Sequence, residues 1–115
     1  MPQIQLHGVR LNFAFLVVEV CKQVDDVVAV LEAPSEERIR RVHARDAYIN
    51  HLKDIVSVKS YRVLLNEDVA DKHTADLLQA VNTVAHNLEN IGDYAEHVVD
   101  QTRFLSDISF FHSFD

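Results

Sequence analysis

The chain has 115 residues, of which 48% are hydrophobic, and it contains only two glycines and two prolines. This composition is typical of a single domain of packed α-helices and argues against a fold with many tight turns. The formal net charge of −7 disfavours nucleic acids and anionic membranes as partners, and favours cations or basic protein surfaces.

A first helix is predicted from about Leu11 to Glu32, after an irregular lead-in over residues 1–10 that contains Pro2 and Gly8. Two apolar stripes with helical spacing run along this helix. One stripe comprises Phe13, Val17, Val20, Val24, Val27 and Leu31, and the other comprises Ala14, Val18, Cys21 and Val28. Two stripes predict two burial partners, so we expect the second to pack against another copy of the chain or another domain.

The single cysteine, Cys21, cannot form an internal disulfide and lies among the valines of the first helix. We interpret it as a buried, small apolar side chain in a reducing compartment. The sequence shows no signal-peptide pattern and no uncharged apolar run of the roughly 18 residues that a membrane span needs. These features predict a cytoplasmic protein that is not embedded in a membrane.

A second helix is predicted to begin near Glu36, because Pro34 ends the first helix and Ser35 is a suitable N-cap. Its apolar seam comprises Ile39, Val42, Ile49, Leu52, Val56 and Val63, with Arg45 and Lys59 in the two seam positions that are not apolar. A polar column runs beside this seam and comprises His43, Asp46, Asn50 and Asp54.

A third helix is predicted to follow a polar turn between Leu65 and Thr74, with Asn66 or Thr74 as its N-cap. We expect it to end near Leu105, before a Phe-rich tail over residues 106–115. Its predicted seam comprises Leu77, Val81, Val84, Leu88, Ile91, Ala95, Val98, Thr102 and Leu105.

Glu89 and Asp93 lie off this predicted seam, one turn apart on the outer side of the third helix. Two carboxylates in this arrangement repel each other unless a positive charge, such as a metal ion, lies between them. His97, four residues after Asp93, is a candidate to extend the column. Gly92 lowers helix stability by about 1 kcal/mol relative to alanine, which indicates close approach of another helix, a metal or a partner backbone.

Three helices with short connections predict an all-α, antiparallel three-helix bundle over residues 11–105. The second and third helices are then neighbours, so Asp46 and Asn50 can lie beside Glu89 and Asp93. Such a cluster of oxygen ligands suits magnesium, calcium, manganese or iron better than a soft-ligand zinc site.

The run Glu89-Asn90-Ile91-Gly92-Asp93 resembles the Glu-Arg-Ile-Gly-Asp core of the PhoU family of phosphate-signalling proteins. Ala75-Asp76-Leu77-Leu78 resembles the Asp-Leu-Arg run of that family at the start of the same helix. Asp46-Ala47-Tyr48-Ile49-Asn50 stands where the family has a Glu or Asp followed four residues later by Asp. The resemblance covers roughly residues 11–105.

This resemblance implies three-helix bundles, often two in tandem, whose paired acidic motifs are associated with surface clusters of iron or other metals. It makes Glu89 and Asp93 the first candidate metal ligands, with Asp46 next and Asn50 and His97 as further candidates, for iron, manganese, magnesium or zinc. It also implies regulation of phosphate uptake through a phosphate transporter or a sensor kinase, without enzyme activity. The resemblance further implies a location in the cytoplasm, or at the inner membrane through such a transporter.

Two substitutions and the presence of one bundle depart from the family pattern. Asn50 replaces an acid and Asn90 replaces the usual arginine. Asn50 still offers a carbonyl oxygen, but the lost charge weakens a shared metal site. Two copies that pair to imitate the tandem form would explain the single bundle and its second apolar stripe.

Two other functions remain open, and a third is excluded. His51-Leu52-Lys53 resembles a phosphoacceptor histidine with a nearby lysine, although the spacing and a missing glycine argue against a histidine-phosphotransfer bundle. A metal-free helical adaptor, held to a partner by the first helix or the Phe-rich tail, is the other alternative. A carboxylate-bridged diiron enzyme is excluded because no Glu in the chain is followed by His at the third position.

Overall fold

The computed structural model describes residues 2–65 and 71–107, which form three helices. Helix α1 spans Pro2–Glu32, α2 spans Glu36–Leu64 and α3 spans Lys72–Asp107. They form a bundle measuring 60 × 21 × 17 Å. The predicted all-α three-helix bundle is confirmed, whereas residues 66–70 and the Phe-rich tail from residue 108 onward lie outside the described residues.

Helix α1 includes residues 2–10, so the prediction of an irregular lead-in was wrong for this stretch. Proline is accepted in the first helical turn, where its missing N–H would have no helical partner. Gly8 lowers helix propensity, but the adjacent Val9 is buried in a cluster with Val63 and Leu78. Tertiary packing therefore outweighs the local preference.

Helix α2 begins where the sequence predicts, because Ser35 is its N-cap and its Oγ accepts a hydrogen bond from the Arg38 N–H at 3.1 Å. Glu36 and Glu37 add negative charge to the first turn, where the helix dipole favours it. Every residue of the predicted apolar seam is buried, namely Ile39, Val42, Ile49, Leu52, Val56 and Val63. The prediction for this face of α2 is confirmed.

Helix α3 is capped by Asp71, whose Oδ1 accepts a hydrogen bond from the Thr74 N–H at 2.7 Å. This bond lowers the pKa of Asp71, because it stabilises the ionised carboxylate. Thr74 was one of the two predicted N-caps, but it is the third residue of the helix. The other candidate, Asn66, lies outside the described residues.

The core is built in layers, because buried residues recur every seven positions on each helix. They are Val9, Leu16, Gln23 and Val30 on α1, Val42, Ile49, Val56 and Val63 on α2, and Leu78, Ala85, Gly92 and Val99 on α3. Separate clusters contain Val9 with Val63 and Leu78, Leu16 with Val56 and Ala85, and Val30 with Val42 and Val99. The residue order in these layers shows that α1 and α3 are parallel and α2 is antiparallel to both.

The predicted seam of α3 was half wrong. Val81, Leu88, Ala95 and Thr102 face the core, but the second buried column is Leu78, Ala85, Gly92 and Val99, one residue after the predicted one. The predicted column of Leu77, Val84, Ile91 and Val98 is exposed. Two residues of the buried column, Ala85 and Gly92, are small and allow α3 to pack closely against its neighbours, and we infer that this fit outweighs the greater hydrophobicity of the exposed column.

Cys21 is exposed, so its interpretation as a buried side chain was wrong. Leu16, Val20, Gln23, Val27 and Val30 take up the buried side of α1, and Cys21 lies on the opposite side. Across the described residues, no helix carries an apolar stretch long enough to cross a bilayer.

Candidate metal site at the α2–α3 interface

Polar side chains occupy much of the contact between α2 and α3. Asp46 and Lys53 lie on the side of α2 that faces α3, seven residues apart, between the buried Ile39 and Ser60. Glu89 and Glu96 are their counterparts on α3, also seven residues apart. The positions of Glu89 and Glu96 follow from which face of α3 is buried. Because Gly92 faces the core, the side chains of Glu89 and Glu96 point toward α2.

Asp46, Asp93 and Glu96 form a compact carboxylate group. Each contributes an oxygen, and these oxygens all lie within 4.8 Å of one another. Asp46 and Glu96 are partly buried, whereas Asp93 is exposed. Burial and the neighbouring charges of Glu96, Asp93 and Glu89 raise the pKa of Asp46 to about 6, and His43 acts in the opposite direction. The group therefore carries a concentrated negative charge that a cation would neutralise.

His43 contacts two carboxylates of α3 and forms a second group next to the first. Its Nδ1 lies 2.9 Å from Glu96 Oε2, and its Nε2 lies 3.0 Å from Asp100 Oδ1. Both contacts are hydrogen bonds only when each ring nitrogen carries a proton. Because Glu96 belongs to both groups, the imidazole and four carboxylates form one continuous cluster.

Glu89, a first candidate from the sequence, is paired with a cation of the protein itself. Its Oε2 lies 3.3 Å from Lys53 Nζ, and the same Nζ lies 2.9 Å from Asp54 Oδ1. The contacts to Asp54 and Glu89 raise the pKa of Lys53 despite the opposing effect of burial. Glu89 therefore acts on Asp46 through its charge but lies outside the compact group.

The structure brings together two of the candidate ligands from the sequence, Asp46 and Asp93. Two others, Asn50 and His97, are exposed and belong to neither ligand group found among the described residues. His51, the phosphoacceptor of the alternative function, is also exposed on α2.

Sequence reasoning missed His43, Glu96 and Asp100 as candidate ligands. On α3, Asp93, Glu96 and Asp100 are spaced by three and four residues, and on α2 His43 precedes Asp46 by three. These spacings place side chains on one helical face and could have revealed the cluster. The wrong seam on α3 concealed it, because that register turns Glu96 away from α2.

The donor set fits a divalent cation. Carboxylate oxygens suit magnesium and manganese, and an adjacent imidazole makes iron or zinc compatible as well. Partial burial of Asp46 and Glu96 limits competition from bulk water, while the exposed Asp93 leaves the group open to solvent. The residues present are therefore suited to hold a metal ion on the surface of the bundle.

The fold and the cluster define a class of protein: a three-helix domain with a carboxylate-rich cluster where α2 meets α3. The chain belongs to the PhoU family, because the family model for the PhoU domain matches residues 16–102, which include every residue of the cluster. The family is regulatory and non-enzymatic, and is connected with phosphate transport. Comparisons with curated proteins and with solved structures yield no match.

Proposed function

We propose that this chain regulates phosphate uptake or phosphate signalling by binding a phosphate transporter or a sensor kinase. The carboxylate group of Asp46, Asp93 and Glu96 carries the proposal, because its concentrated negative charge is suited to a cation or to a basic surface of a partner. Membership of the PhoU family supports the connection with phosphate. The site of action is the cytoplasmic side of the inner membrane, reached through the transporter.

A metal ion on this face is part of the proposal. Asp46, Asp93 and Glu96 would hold it, with His43 and Asp100 as adjacent donors, and iron, manganese, magnesium and zinc are the candidate ions. When bound, the ion supplies positive charge that relieves the repulsion among these carboxylates. Burial and, after it, this repulsion raise the pKa of Asp46 to about 6.

The charge of the chain supports a basic docking surface on the partner. The formal net charge is −7, and the α2–α3 side concentrates acids in a small area. Complementary charge accelerates association and selects among partners, with a strong dependence on ionic strength. We therefore expect the regulatory complex to weaken as salt concentration rises.

Elemental analysis of protein purified without chelator tests the metal site. Bound metal is expected in the wild type and lost in Asp93→Asn and Glu96→Gln, which retain side-chain shape but remove charge. Asp76→Asn is the matched control, since Asp76 is an exposed acid of α3 outside both ligand groups. Metal-free wild type from metal-replete cells, or equal loss in the control, would remove the metal from the proposal.

Capture of the phosphate transporter or the sensor kinase by the tagged chain tests the regulatory role. Retention of either by the wild type, with weaker retention by Asp93→Asn and unchanged retention by Asp76→Asn, supports docking on the α2–α3 side. If neither protein is retained under phosphate-replete or phosphate-limited conditions, the proposed function is wrong.

A further inference from the structure

A groove of about 520 Å³ lies between α1 and α2, apart from the acidic cluster at the α2–α3 contact. Asn12 lines it from α1. On α2 its lining includes two apolar side chains, Ile55 and Val58, and the cationic side chains of Lys59 and Arg62. We call it the α1–α2 groove. Bases are the minority in this chain, with 11 against 18 acids, so two of them together in one groove suggest an anionic ligand.

The ammonium group of Lys59 is held against α1 and retains free donors. The side chain is partly buried, and its Nζ donates a hydrogen bond to Asn12 Oδ1 at 2.6 Å. The same Nζ lies 3.6 Å from the position that a Cβ on Gly8 would occupy, so the ammonium group passes close to the α1 backbone. An ammonium group has three N–H donors, and Asn12 accepts from one of them. Within the part of the chain that the structure describes, the other two have no partner.

Lys59 differs from Arg45, which occupies the equivalent position of α2 fourteen residues earlier. Arg45 lies 2.6 Å from Glu19 and 3.0 Å from Asp26, so two carboxylates neutralise its charge. Asn12 stands seven residues before Glu19 and meets Lys59 with an amide oxygen, which carries no net charge. Among the described residues no carboxylate pairs with Lys59. Its positive charge is therefore available to a ligand in the groove.

Arg62 adds a second cation at the same end of the groove. It follows Lys59 by three residues, so the two side chains lie on one face of α2. The lining contains one acid, Asp54, whose Oδ1 lies 2.9 Å from Lys53 Nζ, and this contact offsets its charge. The acidic group around Asp46 is about 20 Å away along α2, beyond the roughly 10 Å over which charges act in 0.1 M salt. The groove therefore has a local excess of positive charge.

We propose that the α1–α2 groove binds a small organic phosphate, with the phosphate group held by Lys59 and Arg62. A guanidinium group donates two parallel hydrogen bonds to phosphate oxygens, and an ammonium group binds them as a compact charge. Because Asn12 already positions Lys59, binding of the ligand orders this side chain at little further cost in entropy. The site is separate from the acidic cluster, needs no metal and does not depend on the proposed function.

The other side chains of the groove favour an organic phosphate over inorganic phosphate. A volume of about 520 Å³ is in the range of pockets that hold a small organic molecule. Ile55 and Val58 offer apolar surface to a ring or chain. Asp54, about 8 Å from Lys59 along the helix, repels a phosphate group but accepts hydrogen bonds from hydroxyl groups. A nucleoside monophosphate combines the three features: a phosphate, hydroxyl groups and an apolar ring system.

Titration of adenosine monophosphate (AMP) into the isotope-labelled wild-type chain, followed by the chemical shifts of its backbone amides, tests the site. EDTA is present throughout, so that no metal at the acidic cluster can bind the phosphate. Saturable shifts are expected at Asn12, Val58 and Lys59, and none at Asp93. Inorganic phosphate and adenosine, which each lack part of the ligand, should bind more weakly than AMP.

Two variants remove the available charge of the groove in different ways. Lys59→Met should weaken AMP binding roughly tenfold or more, because it removes a charge-assisted hydrogen bond. Asn12→Asp introduces an acid like those that neutralise Arg45, and should weaken AMP binding similarly without lowering the melting temperature. Lys22→Met and Asn87→Asp are the matched controls, since they make the same changes of charge at exposed positions outside the groove. Both should keep the wild-type affinity for AMP.

Several outcomes would overturn the proposal. They are an absence of saturable shifts in the groove at millimolar AMP, shifts at Asp93 in their place, and equal weakening in the control variants. Unchanged AMP binding by Asn12→Asp would show that the charge of Lys59 does not hold the phosphate. Equal affinity for AMP and inorganic phosphate would contradict the assignment to an organic ligand. Metal content and capture of a partner test the proposed function separately, so failure of one proposal is distinguishable from failure of the other.

Discussion

Lys53 of α2 and Glu89 of α3 form an ion pair with 3.3 Å between Nζ and Oε2, beside the cluster of acids at the same interface. Both side chains are about three-quarters buried. The pair supplies Glu89 with a cation from the protein itself, whereas Asp46, Asp93 and Glu96 face one another as carboxylates. Glu89 and Asp93, the two acids of the run that resembles the PhoU family, therefore have different roles.

This difference predicts an order of effects on metal affinity. Asp93→Asn should weaken metal binding more than Glu89→Gln, because Asp93 belongs to the compact group and Glu89 does not. Loss of a ligand removes a direct bond to the ion, and it is expected to weaken binding by more than the roughly tenfold to hundredfold that loss of an outer-shell group costs. Titration calorimetry with Mn²⁺ would measure both, and a larger effect of Glu89→Gln would contradict the assignment.

The same ion pair predicts a loss of stability when Lys53 is replaced. Lys53→Met keeps the aliphatic chain but leaves Glu89 partly buried beside other acids, which should lower the free energy of unfolding by roughly 1–3 kcal/mol. Urea denaturation in the presence of chelator would measure it. Lys22→Met, at an exposed position of α1, is the control and should change stability little.

Asp46 predicts a dependence of stability on pH. Its pKa is raised from 3.8 to about 6 in the folded protein, so the folded state binds the proton more tightly than the unfolded state. The stability it contributes is fully present below about pH 4 and is lost as pH rises through 6. Partial exposure to solvent limits the effect to on the order of 1 kcal/mol.

Asp46→Asn should therefore flatten this part of the stability profile and stabilise the metal-free protein near pH 7. Chemical denaturation at several pH values between 4 and 8, in chelator, is the measurement. The Asp76→Asn variant should keep the wild-type profile. Identical profiles for wild type and Asp46→Asn would show that neither burial nor the acids around Asp46 oppose its ionisation.

The seam of α2 could be predicted from the sequence because polar residues flank its apolar positions. Even its exceptions follow physical rules: Arg45 is held by Glu19 at 2.6 Å and Asp26 at 3.0 Å, and Lys59 donates to Asn12 at 2.6 Å. Burial of their aliphatic stems and pairing of their charges allow both in a seam.

The register of α3 could not be predicted in the same way. The column that contains Ile91 and the column that contains Gly92 both lack charged residues along most of their length. Hydrophobicity alone therefore favours burial of the Ile91 column. The choice depends on the fit of small residues against α2, a tertiary property that a single sequence does not display. Asp46 and Asp93 could still be recognised, because both stand in runs that resemble the PhoU family. Glu96 and Asp100 become candidate ligands only when the register of α3 is known.

Gln23 predicts a gain in stability from an apolar replacement. It is fully buried and its Nε2 donates to the Val42 carbonyl at 2.9 Å, while its Oε1 has no hydrogen-bond partner among the described residues. Gln23→Leu removes a buried acceptor that lacks a partner while nearly keeping volume, so unfolding should require about 1 kcal/mol more. Gln23→Ala is the control and should destabilise by creating a cavity; a less stable Gln23→Leu would show that the Val42 bond dominates.

Replacement of Gly92 tests whether the packing of α3 against α2 requires a glycine at this position. A Cβ at this position would meet Ile49 Cδ1 at 3.4 Å and Asp46 Oδ1 at 3.8 Å, which are ordinary contact distances. Gly92→Ala should therefore raise the melting temperature, because alanine favours the helix by up to about 1 kcal/mol and no neighbour needs to move. Gly92→Leu has no such space against Ile49 and should destabilise the bundle. A destabilised Gly92→Ala would mean that α2 and α3 approach more closely than these distances show.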